Sequence, residues 1–278
     1  MVITKRLVLP FLLFFSLPGF GASLRYMELA DSADYFISIE NWDIAEMKIL
    51  EALRLEPANF TNSLLLSNLG TIRTAKGEYE KALESFELAL SIAPSSAVIY
   101  NNRARTFLLL DKKTNAKNDI EKSLLIDRNQ EWPLQTLGII LMGENQTDSA
   151  RIVLEELSYR FPDNYISHSG LGAIAEFSGD NEEALKEYDK ALNINPDDID
   201  TLASKILLLI NLERYQDARQ IINKAIVTFP EEAILYLLRG YLHRLNFRQE
   251  EAQADRKIAI EKGLEVEYVE KFIPARKK

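Results

Sequence analysis

Alanine recurs at a single stride through most of this chain. From Ala82, steps of 34 residues land on Ala116, Ala150, Ala184, Ala218 and Ala252, and Ala45 keeps the same place upstream, behind a loop three residues longer. A period this strict marks an array of supersecondary units, each burying its apolar face against its neighbours. Other positions keep step. Four residues after each alanine stand Ile49, Phe86, Ile120, Leu154, Tyr188, Ile222 and Arg256; three further on are Ala52, Ala89, Ser123, Leu157, Ala191, Ala225 and Ala259. Twelve residues before it the place is small in Ala33, Gly70, Ala104, Gly138, Gly172 and Gly240, and Ile206 is the exception.

Within one period the pattern reads as two helices. In "NLGTIRTAKGEYEKALESFELALSIAP" (68–94), Leu66, Gly70 and Arg73 share one face of a first helix, and Ala82, Phe86 and Ala89 share one face of a second. Small residues at 70 and 82 let two backbones approach, and Phe86 fills the gap beside them. Gly77 falls in the turn between the helices, where positive φ is needed. Pro94 stops the second helix, and Pro57, Pro162, Pro196 and Pro230 repeat that punctuation. Ile206 predicts a sixth pair whose helices sit farther apart. Arg256, at a normally apolar place, predicts an edge unit.

The stretches 68–94 and 170–196 ("GLGAIAEFSGDNEEALKEYDKALNINP") resemble the tetratricopeptide repeat. Seven copies follow, at 26–59, 63–96, 97–130, 131–164, 165–198, 199–232 and 233–266, so the array covers 26–266. The resemblance implies an all-α fold, an α-solenoid in which antiparallel helix pairs stack into a right-handed superhelix with the first helices on its concave side. Beyond Gly263, Leu264, Tyr268 or Val269, and Phe272 form a stripe that predicts a C-terminal capping helix over 264–273, with a frayed tail at 274–278.

The first 22 residues are of another kind. Lys5 and Arg6 precede an apolar run from Leu7 to Leu17, and Gly19, Gly21, Ala22 and Ser23 follow. A positive start, a short apolar middle and a small-residue end predict a removable signal peptide, 1–22. The run is shorter than the ~20 residues a span requires, so the mature chain is expected to carry no transmembrane segment. The product is expected to be exported, to the periplasm if the source is a bacterium. There is no cysteine, which excludes disulfides, thiolate catalysis and a lipid-modified cysteine anchor.

Nothing in the sequence assembles chemistry. The two histidines, His168 and His243, lie in different repeats at packing positions, and no metal, phosphate-loop or nucleophile motif appears. No enzyme activity and no cofactor are expected. A net charge of −9 argues against nucleic acid as a partner. What remains is a protein or peptide partner, with self-association through an end repeat also open. In the family's best-known mode, Lys, Asn and Arg on successive first helices clamp a terminal carboxylate. Here the corresponding places hold Ser67 and Thr71, then Asn102, then Trp132 and Thr136, so only Asn102 fits, with Arg105 nearby. The remaining candidate groove positions are apolar: Leu108, Trp132, Ile139, Met142, Phe177, Leu207, Ile210, Tyr241 and Leu245. They suit an amphipathic helix. The function expected is a scaffold holding a partner in its concave groove; the alternative is an assembly chaperone or secretion accessory that grips clients transiently.

Overall fold

The computed structural model describes residues 22–275. The expected leader lies, but for Ala22, outside the described residues, as does the end of the tail. The described residues form fifteen α-helices and no strand. The chain divides into two compact units, the first ending at Ile126 and the second starting at Asp127.

The first unit holds α1 (Leu24–Ser38), α2 (Trp42–Leu55), α3 (Asn62–Ala75), α4 (Tyr79–Ile92), α5 (Ala97–Leu109) and α6 (Lys113–Ile126). The second holds α7 (Glu131–Gly143), α8 (Thr147–Arg160), α9 (Tyr165–Phe177), α10 (Asn181–Ile194), α11 (Ile199–Asn211), α12 (Tyr215–Thr228), α13 (Ala233–Leu245), α14 (Gln249–Glu261) and α15 (Val266–Phe272). Odd and even helices pair as hairpins. Within each unit the second helix of one pair packs on the first helix of the next.

The alanine ladder forms the spine of both units. Ala45, Ala82, Ala116, Ala150, Ala184, Ala218 and Ala252 are all 0% exposed. Only a small side chain fits where helix backbones close on each other, and a larger one pushes them apart. The partner position is equally tight: a Cβ placed on Gly70 would stand 2.6 Å from the Phe86 ring, and one on Gly172 2.6 Å from the Tyr188 ring. Hence glycine or alanine on the first helix faces a large residue on the second.

The turn inside each hairpin puts one residue at positive φ. Gly77 and Gly179 do this freely, at φ 79° and 81°. Glu40, Asp111, Asn145, Glu213 and Phe247 hold the corresponding places at φ 54–59° with side chains that oppose it. Caps finish several helices: Ser23, Asn41, Ser96, Asn164, Asp180 and Asp198 each accept a bond from a backbone N–H of the first turn.

A second ladder, not foreseen from the sequence, runs at twice the period. Asp119, Glu187 and Asp255 stand 68 residues apart on second helices, each 2–5% exposed. Each meets a base from the first helix of its own repeat. Arg103 donates to both Asp119 oxygens at 2.7 and 2.8 Å, and Arg239 to both Asp255 oxygens at 2.9 and 2.6 Å. Glu187 takes His168 Nδ1 at 2.7 Å and the Lys190 ammonium. These paired charges clamp the two helices of a hairpin at a fixed register.

The sixth pair differs. Like the second and fourth pairs, which carry Ser85 and Val153 there, it lies off the double-period ladder, with Ile221 where Asp119 and Asp255 stand; unlike them it keeps a base, Lys205, where Arg103 and Arg239 stand. Ile206, 0% exposed, replaces the small residue. As that replacement predicts, α11 and α12 contact each other far less closely than the helices of the other pairs.

At the far end α15 packs on α13 and α14. Val269 and Ile273 are 0% exposed, and Ile273 reaches the bare backbone of Gly240, where a Cβ would stand 2.5 Å from it. Arg256 is held by the cap, donating to the Ile273 carbonyl at 3.2 Å and to Glu270 at 3.1 Å.

Candidate functional site

The two units present different first-helix faces. In the first unit the polar groups of α1, α3 and α5 are tied to one another. Asn68 donates to Asp34 at 3.1 Å, Asn102 donates to the Ser67 hydroxyl at 3.4 Å, and the Thr74 and Thr106 hydroxyls lie 2.8 Å apart. Burial, with help from Asp31, pushes the Asp34 carboxyl above its ordinary range. Asn102 therefore serves repeat-to-repeat register, and Leu108 is half-buried. Arg105 is exposed, and desolvation of its stem lowers its pKa. Nothing here rebuilds the carboxylate clamp of the family.

In the second unit the first-helix face is apolar at α7 and α9. Phe177, in the last turn of α9, is 82% exposed, and Ile139 on the adjacent α7 is 51% exposed. Met142 is half-buried and bridges the two helices: its sulfur lies 3.3 Å from where a Cβ of Gly170 would stand. Trp132, half-buried, opens α7, and its carbonyl accepts a bond from Thr136 at 2.8 Å.

Farther along, two sequence candidates are corrected. Ile210 is 2% exposed and belongs to the core that α11 shares with α10, α12 and α13. Tyr241 packs edge-on against Phe272 at 5.3 Å, with the Arg244 guanidinium 5.3 Å from its ring, so the cap occupies its face. Leu207 and Leu245 are half-buried against the same core. Of the candidates in the second unit, Ile139 and Phe177 are exposed, and Trp132 and Met142 are half-buried.

The histidines pack between helices beside buried acids. Burial lowers the His243 pKa, with Asp255 3.7 Å away acting in the opposite direction. Burial, then the Glu176 carboxylate 2.7 Å from its hydroxyl, push the Tyr188 pKa far above its ordinary value, so Tyr188 stays a donor. The sequence reading missed the acidic ladder, yet a signal existed: the same Arg-to-Asp spacing of 16 occurs in Arg103–Asp119 and Arg239–Asp255.

Stacked two-helix units with an alanine spine define a helical-repeat solenoid. Comparison with known proteins gives the family. Tetratricopeptide repeat patterns match residues 65–97, 97–130, 136–199 and 178–240, together more than half of the chain. The chain belongs to the tetratricopeptide repeat family. It is 28% identical over 173 residues to anaphase-promoting complex subunit 7 of Dictyostelium discoideum, a match spanning 60% of this chain and 30% of that protein. Among solved structures, a tetratricopeptide repeat protein of Parabacteroides merdae superposes with a TM-score of 0.65 at 24% identity, over 90% of this chain and 98% of that one. YrrB, described as having an unusual peptide-binding site, superposes with a TM-score of 0.56 at 19% identity, over 65% of this chain and 91% of its own.

Proposed function

We propose that this protein is a non-enzymatic scaffold that seats the apolar face of a partner's amphipathic helix on α7 and α9. The observation that carries the reading is Phe177, a large aromatic 82% exposed on α9, with Ile139 51% exposed on α7, the first helix that α9 contacts. Exposed aromatic and methionine side chains favour docking, since partner burial there removes apolar area from water. A helix with anchors at i, i+3/i+4 and i+7 matches such a surface. The same proposal includes export: the N-terminal segment, with Lys5 and Arg6 before a short apolar run, is a removable leader.

The test is site-specific photocrosslinking in the native organism. A photoreactive phenylalanine replaces Phe177 in one strain and Val227, equally exposed at 82% on the second helix α12, in another. A discrete partner crosslinked from position 177 and not from 227 supports the groove. Equal or absent crosslinking at 177 with an intact fold rejects it. Sequencing the N-terminus of the native protein checks the leader; a product still beginning at Met1 refutes export by that route.

A further inference from the structure

The open sixth pair leaves a trough on the other side of the second unit. Two adjoining clefts, about 410 Å³ and 310 Å³, run between α10, α11 and α12 and share Lys205 and Ile221. The larger has Leu185 and Leu209 on its floor and the Arg214–Asp217 pair at its rim; the smaller is an apolar slot of Leu192, Leu202, Ala225 and Phe229, with Lys224 and Asp197 at its mouth. Lys205 thus borders both clefts.

The third and seventh repeats show what a clamped repeat puts at this place, whereas the second and fourth carry neither base nor acid there, with Leu69 and Ser85, and Leu137 and Val153. There a carboxylate from the second helix reaches the base on the first, as Asp119 reaches Arg103 and Asp255 reaches Arg239. In the sixth repeat the base remains, as Lys205, with its side chain only 16% exposed. The carboxylate is replaced by Ile221. Lys205 makes one ion pair, with Asp189, whose side chain is 56% exposed and so largely solvated. An ammonium has three donors, and Asp189 takes one of them.

We infer that this trough binds an extended segment of a partner protein whose acidic side chain supplies the missing carboxylate to Lys205 while an apolar side chain two residues away fills the Leu192–Phe229 slot. Residues i and i+2 of an extended chain lie on one side, about 7 Å apart, which suits a cleft and a base that adjoin. Lys205 has a cleft on either side of it, which leaves room for chain both before and after the acidic residue. That favours an internal acidic residue over a chain terminus. This site is separate from the α7–α9 face and stands or falls independently of it.

The test uses fluorescence anisotropy of dye-labelled peptides capped at both ends, with phenylalanine and glutamate two positions apart, against a glutamine counterpart. The glutamate peptide is expected to bind about tenfold more tightly, the worth of one charge-assisted bond. Lys205→Gln should erase the difference. Ile221→Asp, which restores the internal carboxylate, should block binding, with circular dichroism confirming the fold. Phe177→Ser should leave binding unchanged. Equal binding of the two peptides, no binding of either, or indifference to Lys205→Gln would each overturn the inference.

Discussion

The buried pair between Arg103 and Asp119 makes a quantitative prediction. Asp119 is 2% exposed and accepts two bonds from one guanidinium, whose side chain is itself 15% exposed. Replacing Arg103 by methionine keeps most of the apolar stem but leaves a carboxylate buried without its counter-ion. Breaking such a pair from one side costs ~3–5 kcal/mol. The guanidinium also lies 5.8 Å from the Tyr100 and Phe107 rings, which adds about 0.5–1 kcal/mol to its loss. With a urea dependence of ~1–3 kcal/mol per molar, the midpoint should fall by about 1–6 M. Replacing both members, Arg103→Met with Asp119→Leu, should restore stability to within about 1 kcal/mol of the parent, because no charge is then stranded. The chain has two tryptophans, Trp42 in the first unit and Trp132 in the second. In a Trp132→Phe background, fluorescence reports the first unit alone. A single variant no less stable than the parent, or a double variant as unstable as the single, would refute the clamp.

Two further predictions concern strain and pH. Phe247 is 89% exposed and sits at φ 59°, where its Cβ opposes the backbone, so Phe247→Gly should raise stability by about 0.5–1 kcal/mol, read as a higher Tm; an unchanged or lower Tm contradicts this. Burial drives the Glu187 carboxyl upward, but hydrogen bonds from Lys190 and His168 outweigh it and hold the group below its ordinary range. The stability it contributes is therefore present above the unfolded-state value of about 4.3 and is lost as pH falls through the lower folded-state value. Glu187→Gln should flatten that acid loss in urea titrations of the second unit.

The fold was legible because its rule is steric and strictly periodic. Every alanine of the 34-residue series is fully buried, and the one exception to the small-residue position, Ile206, correctly marked the loose pair. The acidic ladder was harder to read. Asp119 and Glu187 look like ordinary charged helix residues, and only the repeated Arg-to-Asp spacing separates a buried clamp from a solvated face. The candidate site was legible only in part. A groove position is exposed or covered according to what lies beyond its own repeat, and a single repeat's sequence does not encode that. Tyr241 is covered because α15 brings Phe272 against it, and Ile210 is buried because α11 packs on several sides. Phe177 has no such neighbour and stays in solvent.

The loose packing of α12 on α11 also bears on how the second unit fails. In a stack where each hairpin leans only on its neighbours, resistance to rupture is set locally, and the weakest hairpin acts as a fault line. Partial unfolding should begin by peeling α12 from α11. Backbone amides there should exchange with solvent sooner than those around the Arg239–Asp255 rivet, and limited digestion should nick the turn at Leu212–Arg214 before other turns give way.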